Sequence, residues 1–355
     1  MTIVSIVGAR PQFIKLAMMC RSLCEVPRVR SHVIIHTGQH YDSGMSGVFF
    51  KELNIPEPDF HLGVGSGSHG EQTGEMIKRL EGVLVTQQPT CVLLYGDTNS
   101  TLAGAIVSSK LNMRTAHIEA GLRSFNRSMP EETNRIIADH LSDILFCPTS
   151  TAVKNLEREG LSKRATLVGD VMFDAAMHYR NVAESRGGPL AEEWKPKTFG
   201  LATVHRAENT DDPRRLKAII AALERISGEL CPVVLPVHPR TKKSLSAAGI
   251  VAKNVTLVPP VSYLDMLMLE GRARFILTDS GGVQKEAYFA QVPCITLREE
   301  TEWVETLESG CNVLAGADED SIFHAAGRSQ SGPWTEIYGD GRAAQLITTG
   351  LLAGL

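Results

Sequence analysis

No stretch of this 355-residue chain approaches the ~20 consecutive apolar residues needed to cross a bilayer, so a transmembrane helix is excluded as an organising element. Long basic runs are missing as well. The formal net charge of −4 is spread along the chain, which leaves no electrostatic footprint for nucleic acid or an anionic membrane surface. Any anion must therefore be bound locally. Cysteine is sparse and unpatterned: seven residues at 20, 24, 91, 147, 231, 294 and 311, an odd number with no C-x-x-C pair, mostly inside apolar runs. They read as buried thiols in a reducing compartment. The opening M-T-I-V-S-I-V-G has no charged leader before its apolar residues, and a cytoplasmic location is expected. There is no Walker loop, dinucleotide glycine fingerprint, H-E-x-x-H or serine nucleophile elbow, which disfavours nicotinamide and calls for no cofactor. His32, His36 and His40 recur every four residues, but the first two bracket a β-branched run. On a strand that spacing is roughly 13 Å, too far to share a metal ion.

What is present is ordinary for a globular α/β enzyme, with 43% hydrophobic and 21% charged residues and a length suited to two domains. Apolar runs rich in Val and Ile at 2–7, 32–36, 91–95, 115–118 and 144–147 alternate with segments of helical period. After a polar stretch at 183–197 the pattern restarts at 199–204, 232–236, 255–258, 275–277 and 294–296. The alternation predicts two Rossmann-like, doubly wound parallel sheets with a cleft between them. The expected domains are residues 1–170, carrying acid-base carboxylates, and 171–340, binding the nucleotide. An amphipathic helix at 341–355 is expected to pack back on the first domain.

In such folds the chemistry belongs at the strand-to-helix junctions. The first reads G-A-R-P-Q-F-I-K from Gly8, with Pro11 in the first helical turn, Arg10 at the strand end and Lys15 about one turn on. A plain turn with solvent-facing cations is the bland alternative. The junction L-T-D-S-G-G-V-Q-K-E is more specific. A strand runs through Ser280, Gly281 and Gly282 into a helix, whose unpaired N–H groups and positive dipole end suit a diphosphate. Glu286, one turn on, could accept from ribose hydroxyls; a structural cap with two turn glycines is the competing reading.

Three acidic clusters end first-domain strands or open the following helix: Y-G-D-T-N-S with Asp97, H-I-E-A-G-L-R with Glu119 and Arg123, and M-P-E-E-T-N-R with Glu131 and Arg135. Each alone could be a cap. Carboxylates converging on one site can divide the roles of acid and base. In the second domain, T-V-H-R-A-E-N places His205, Arg206 and Asn209 after a strand, and H-P-R places His238 and Arg240 after the next. Facing the Gly-Gly helix start, they would ring a phosphate with donors.

At these residues the chain resembles the non-hydrolysing UDP-N-acetylglucosamine 2-epimerase family, whose two-domain fold is shared with GT-B glycosyltransferases. G-A-R-P-Q-F-I-K, H-T-G-Q-H, Y-G-D-T-N-S, E-A-G-L-R, M-P-E-E-T-N-R, T-V-H-R-A-E-N, H-P-R-T, L-T-D-S-G-G-V-Q-K-E and T-E-W-V-E occur in the family's order over nearly the whole chain. The resemblance implies that Asp97, Glu119, Glu131 and His205 hold catalytic positions. It further implies that Arg10, His205, Arg206, Ser280, Gly281, Gly282 and Glu286 bind UDP, with Arg298 and Glu302 near the sugar. T-E-W-V-E in place of T-E-R-P-E, together with S-F-N-R-S-M-P-E-E and S-H-G-E-Q-T-G, resembles the branch acting on UDP-2,3-diacetamido-2,3-dideoxyglucuronate. Regulated bacterial members use a glutamine near position 69 to hold an activating second UDP-N-acetylglucosamine. Here His69 stands in its place, although Gln39 and His40 match the rest of that site.

The implied reaction inverts C2 of a UDP-2-acetamido sugar by eliminating UDP to a 2-acetamidoglucal and re-adding it, as for surface-polysaccharide precursors. Two faces demand two proton-transfer groups. Asp97 and Glu131 are the principal candidates, with Glu119 as their partner or an oxocarbenium stabiliser. No redox cofactor or metal is implied, and a homodimer is the expected assembly. A GT-B glycosyltransferase is the alternative, but no apolar or basic acceptor patch is evident in the first domain. A non-catalytic nucleotide-sugar sensor fits the clustered carboxylates poorly.

Overall fold

The computed structural model describes residues 1–39, 43–328 and 332–353. The chain divides into two compact units, Met1–Ala175 with Glu336–Leu355, and Ala176–Thr335. In the first unit, seven strands form one sheet: β1 (Thr2–Val7), β2 (Ser31–His36), β3 (Phe60–His61), β4 (Cys91–Tyr95), β5 (Thr115–Ile118), β6 (Ile144–Cys147) and β7 (Ala165–Leu167). Their order is β3-β2-β1-β4-β5-β6-β7, and every pairing is parallel. The second unit repeats the plan with β8 (Gly200–Thr203), β9 (Val233–Pro236), β10 (Thr256–Val258), β11 (Phe275–Thr278), β12 (Cys294–Thr296) and β13 (Asn312–Leu314), ordered β10-β9-β8-β11-β12-β13. Its strands are also all parallel. These are the two doubly wound α/β sheets that the apolar runs predict.

Central strands are buried on both faces, which is why they read as continuous apolar runs rather than alternating ones. Val4, Ile6, Val92 and Leu94 pack against Met76, Leu80 and Leu84 of the helix His69–Gln87, and all seven are fully buried. Each such side chain contributes about 1.5–3 kcal/mol relative to exposure. In the second unit Leu216, Ile219, Leu223 and Ile226 of the helix Pro213–Glu229 pack with Val233, Leu235, Phe275 and Leu277. The strands absent from the sequence expectation, β3, β7 and β13, all lie at sheet edges and are only two or three residues long. Among the described residues no helix is long and apolar enough to cross a membrane.

The helix Ala343–Ala353 belongs to the first unit, where Ser22 Oγ of the helix Arg10–Cys24 donates to Ala344 O at 3.1 Å and pairs with Thr348 Oγ1 at 2.7 Å. Asp174 accepts from the N–H groups of Ala343 and Ala344 at 3.1 and 2.7 Å, satisfying donors that a helix start leaves open. The three spaced histidines divide among different roles. His32 hydrogen-bonds Ser5 Oγ at 2.8 Å, His36 stacks on Phe13 and His61, and His40 lies outside the described residues.

Candidate active site

Strand order reverses between β1 and β4 in the first unit and between β8 and β11 in the second, and helix connections that diverge there open a crevice at the strands' carboxyl ends. At the first junction Gln12, 1% exposed, ties the two strand ends together. Its Oε1 accepts from the N–H groups of Gly8 and Ala9, and its Nε2 donates to Tyr95 O at 2.8 Å. Arg10 is exposed, with its guanidinium 4.5 Å from the centre of the Phe49 ring and no ion pair among the described residues.

After β4, Gly96 turns with φ +61°, and a Cβ there would lie 3.1 Å from Glu119 Oε2 and 3.2 Å from Lys15 Nζ. Glycine is needed on both counts. The next residue, Asp97, is a third exposed, and Arg135 Nε and Nη2 both donate to its Oδ2, at 3.0 and 2.7 Å. Oδ1 has no partner among the described residues. Arg135 Nη1 donates to Glu132 Oε2 at 3.0 Å, and Asn134 Nδ2 donates to Asp97 O at 2.9 Å. Burial alone would raise the Glu132 pKa, but hydrogen bonds from Ser124, Arg135 and the Phe125 N–H outweigh it and hold that carboxyl below the usual range. Glu131 differs from its neighbour. It lies in the first turn of the helix Pro130–Leu141, exposed, with no ion pair or hydrogen bond to its carboxylate among the described residues.

At the end of β5, Glu119 adopts φ +73°, unusual for a non-glycine residue, and forms an ion pair with the buried Lys15. Lys15 therefore carries a carboxylate partner of its own. Two residues earlier, His117 bridges Asp139 Oδ1 through Nδ1 and Gly96 O through Nε2, both at 2.7 Å, which fixes the turn before Asp97. Arg123 is turned into the protein. Its Nη1 donates to Asp139 Oδ2, its Nε and Nη2 donate to Glu159, and its side chain is 1% exposed. Two carboxylates 16 and 36 residues away claim the Arg123 donors, and it braces the strand end.

In the second unit the organising group is Asp279, fully buried at the end of β11. It accepts from the His205 N–H at 3.0 Å, the Arg206 N–H at 3.0 Å and Asn209 Nδ2 at 3.1 Å, and it lies 3.3 Å from His205 Nδ1. These bonds set the backbone of the turn after β8, so that His205 and Arg206 leave the strand end half-buried. The Arg206 guanidinium has no ion pair among the described residues. Asn209, itself fully buried, is a brace between Asp279 and Leu297 O.

Ser280 caps the helix Gly281–Phe289 by accepting from the Val283 N–H at 3.4 Å. A Cβ on Gly281 would run into Glu302 Oε1, whereas one on Gly282 would meet nothing nearer than Ser280 Oγ at 3.8 Å. The helix start is thus closed on its Glu302 side and open at Gly282. Glu302 also takes Arg298 Nη1 at 3.1 Å, and Arg298 is 4% exposed. Glu286 is nearly buried, one turn into the same helix. His238 caps the helix Pro239–Ala247, its Nδ1 accepting from the Arg240 N–H, and its ring centre is 5.8 Å from that of His205. Arg240 is exposed and paired with Asp211 at 2.7 Å.

Of the cations expected at the site, Lys15, Arg123, Arg135, Arg240 and Arg298 hold carboxylates, while Arg10 and Arg206 keep no such partner among the described residues. The groups without an assigned role in the sequence, Gln12, His117, Glu132, Asp139 and Asp279, are all buried braces. Their common signal is a polar residue beside a strand end, too widespread to single them out. Among the described residues, no cluster of three or more His, Cys, Asp or Glu could hold a metal ion.

Comparison with known proteins identifies the family. Residues 25–352 match the profile of the UDP-N-acetylglucosamine 2-epimerase family. The chain is 49% identical over 354 residues to the UDP-2,3-diacetamido-2,3-dideoxy-D-glucuronate 2-epimerase of Pseudomonas aeruginosa, covering 98% of each chain. It is 50% identical over 345 residues to a UDP-N-acetylglucosamine 2-epimerase homolog of Methanococcus maripaludis, covering 95% of this chain and 94% of that one. The crystal structure of the Methanocaldococcus jannaschii UDP-GlcNAc 2-epimerase, in complex with UDP-GlcNAc and UDP, superposes with a TM-score of 0.90 at 42% identity, covering all of both chains. The chain therefore belongs to the UDP-N-acetylglucosamine 2-epimerase family.

Proposed function

We propose that this protein catalyses reversible C2 epimerisation of a UDP-2-acetamido sugar, UDP-GlcNAc or its 2,3-diacetamido-2,3-dideoxyglucuronate counterpart, in the cytoplasm and as a homodimer. The observation that carries the mechanism is the division of labour at Asp97 and Glu131. Arg135 anchors one oxygen of Asp97 and leaves the other open, while Glu131 is an exposed carboxylate with no partner among the described residues. Two such groups suit two proton transfers on opposite faces of one carbon.

C2 of a 2-acetamido sugar bears no adjacent carbonyl carbon, so direct deprotonation there would be prohibitively slow. Departure of UDP from C1 comes first and leaves an oxocarbenium-like centre that acidifies C2–H. In the second unit, the open Gly282 helix start, Ser280, His205 and Arg206 stabilise charge growing on the leaving diphosphate. In the first unit, Arg10 adds positive charge, and the Lys15-paired Glu119 supplies a carboxylate for the oxocarbenium. One of Asp97 and Glu131 then takes the C2 proton to give the 2-acetamidoglucal. The other returns a proton to the opposite face before UDP re-adds.

The test is incubation with UDP-sugar in deuterated water. Deuterium at C2 of recovered UDP-sugar is expected. Transfer of the sugar to an acceptor, or an unchanged substrate, would refute the epimerase reading. Running both sugars side by side assigns the substrate, and light scattering at twice the chain mass tests the dimer.

A further inference from the structure

Residues 124–128, between β5 and the helix Pro130–Leu141, include a side chain that the fold does not require. Seven non-glycine residues have positive φ among those described, and five of them are Asn, Gln or Lys. The other two are Glu119 and Phe125, both shortly after β5, and Phe125 has φ +58°. A bulky residue in this region costs about 1–3 kcal/mol and persists only where its surroundings hold it there. Core packing does not hold Phe125, whose side chain is 72% exposed. Polar bonds do. Glu132, 2% exposed, accepts from the Ser124 and Phe125 N–H groups at 2.9 Å each, and its carboxylate receives Arg135 Nη1 at 3.0 Å.

Arg135 is also the group that anchors Asp97. The backbone carrying the exposed ring is thus fixed, through one carboxylate and one guanidinium, to a proposed proton-transfer residue of the same unit. Glycine at 125 would accept the same bonds without strain, so the ring adds nothing to the loop's own stability.

We propose that Phe125 is a sugar-specificity residue: its ring is the apolar platform against which the acetamido-bearing part of the substrate packs. This rests on the epimerase reading. The acetamido methyl and the ring C–H groups are the apolar surface of such a sugar, and an aromatic ring is a large, rigid surface to set against them. Fixing the platform through Arg135 keeps it in register with Asp97.

Phe125→Gly and Phe125→Asn both suit the left-handed region, the first without strain. In the full-length protein each should melt at or above the wild-type temperature and bind UDP with unchanged Kd. Each should raise KM for the turned-over UDP-2-acetamido sugar by about tenfold, the size of one lost aromatic contact. Phe125→Tyr keeps both the ring and the strain and should retain wild-type KM. Wild-type KM in Phe125→Gly overturns the proposal, as does a loss in Phe125→Tyr equal to that in Phe125→Gly. Failure of the wild-type protein to place solvent deuterium at C2 overturns the epimerase reading itself, so the two failures are distinguishable.

Discussion

Arg135 donates twice to one oxygen of Asp97 and once to Glu132, so a single guanidinium sets both the carboxylate proposed for proton transfer and the buried brace beside it. Burial disfavours its charge, but Asp97 and Glu132 more than offset this and raise its pKa. Asp97→Asn and Glu131→Gln should each keep UDP affinity while lowering kcat by about 10²–10⁴-fold, the usual contribution of a positioned proton-transfer group. Stopped assays beside UDP calorimetry measure both quantities, and near-wild-type rates for both variants would remove the assignment. Arg135→Lys keeps the charge but not the fork that meets two groups at once. It should lower kcat with little change in UDP Kd, and lower stability by roughly 1–3 kcal/mol because buried Glu132 loses a donor. A variant with unchanged kcat and melting temperature would show that the fork is dispensable.

At the scale of elements, the positions proposed to bind and react are helix starts and strand ends whose backbone is set by buried polar groups. Gly281→Ala would drive a methyl into Glu302 and shift the start of the helix Gly281–Phe289. UDP affinity should fall in titration, while Gly282→Ala, with open space around it, should keep the fold. Equal UDP affinity in Gly281→Ala and wild type would contradict a diphosphate seat at this helix start. The helix Ala343–Ala353 depends on Asp174, whose pKa burial pushes up to about 6 despite two N–H donors. A pKa raised in the folded state means that the associated stability is complete below the unfolded value near 4 and is lost as pH rises through about 6. Across that window wild-type stability should decline relative to Asp174→Asn, which has no charge to bury. Parallel pH profiles of denaturation midpoint for the two proteins would rule this out.

Over the whole molecule the thiols give a direct check on burial. All seven cysteines are free, and only Cys24 is exposed. Burial pushes the thiols of Cys20, Cys91, Cys147 and Cys294 up to about 12, so they resist ionisation as well as access. Titration of the native protein should show Cys24 as the fastest thiol, lost in Cys24→Ser, with the buried Cys91, Cys147, Cys294 and Cys311 appearing only on unfolding. Several fast thiols would mean that the native packing is looser than described.

Both sheets and their parallel sense were legible in the linear sequence, because burial on two faces writes central strands as unbroken apolar runs, and the junctions at their ends stood out because turns demand glycine or proline. The family was legible for the same reason, since its motifs are those junctions. The edge strands β3, β7 and β13 left no comparable trace. What only the tertiary structure decided is how the charges pair. Asp97 meets Arg135 across 38 residues, Arg123 meets Asp139 across 16, and Asp279 reaches back 74 residues to the His205 backbone. A charged residue has no preferred partner along the chain. Which carboxylate is a brace and which remains open to a ligand is settled by the sheet order that brings strand ends together and by the burial that makes an unpaired charge too costly to keep.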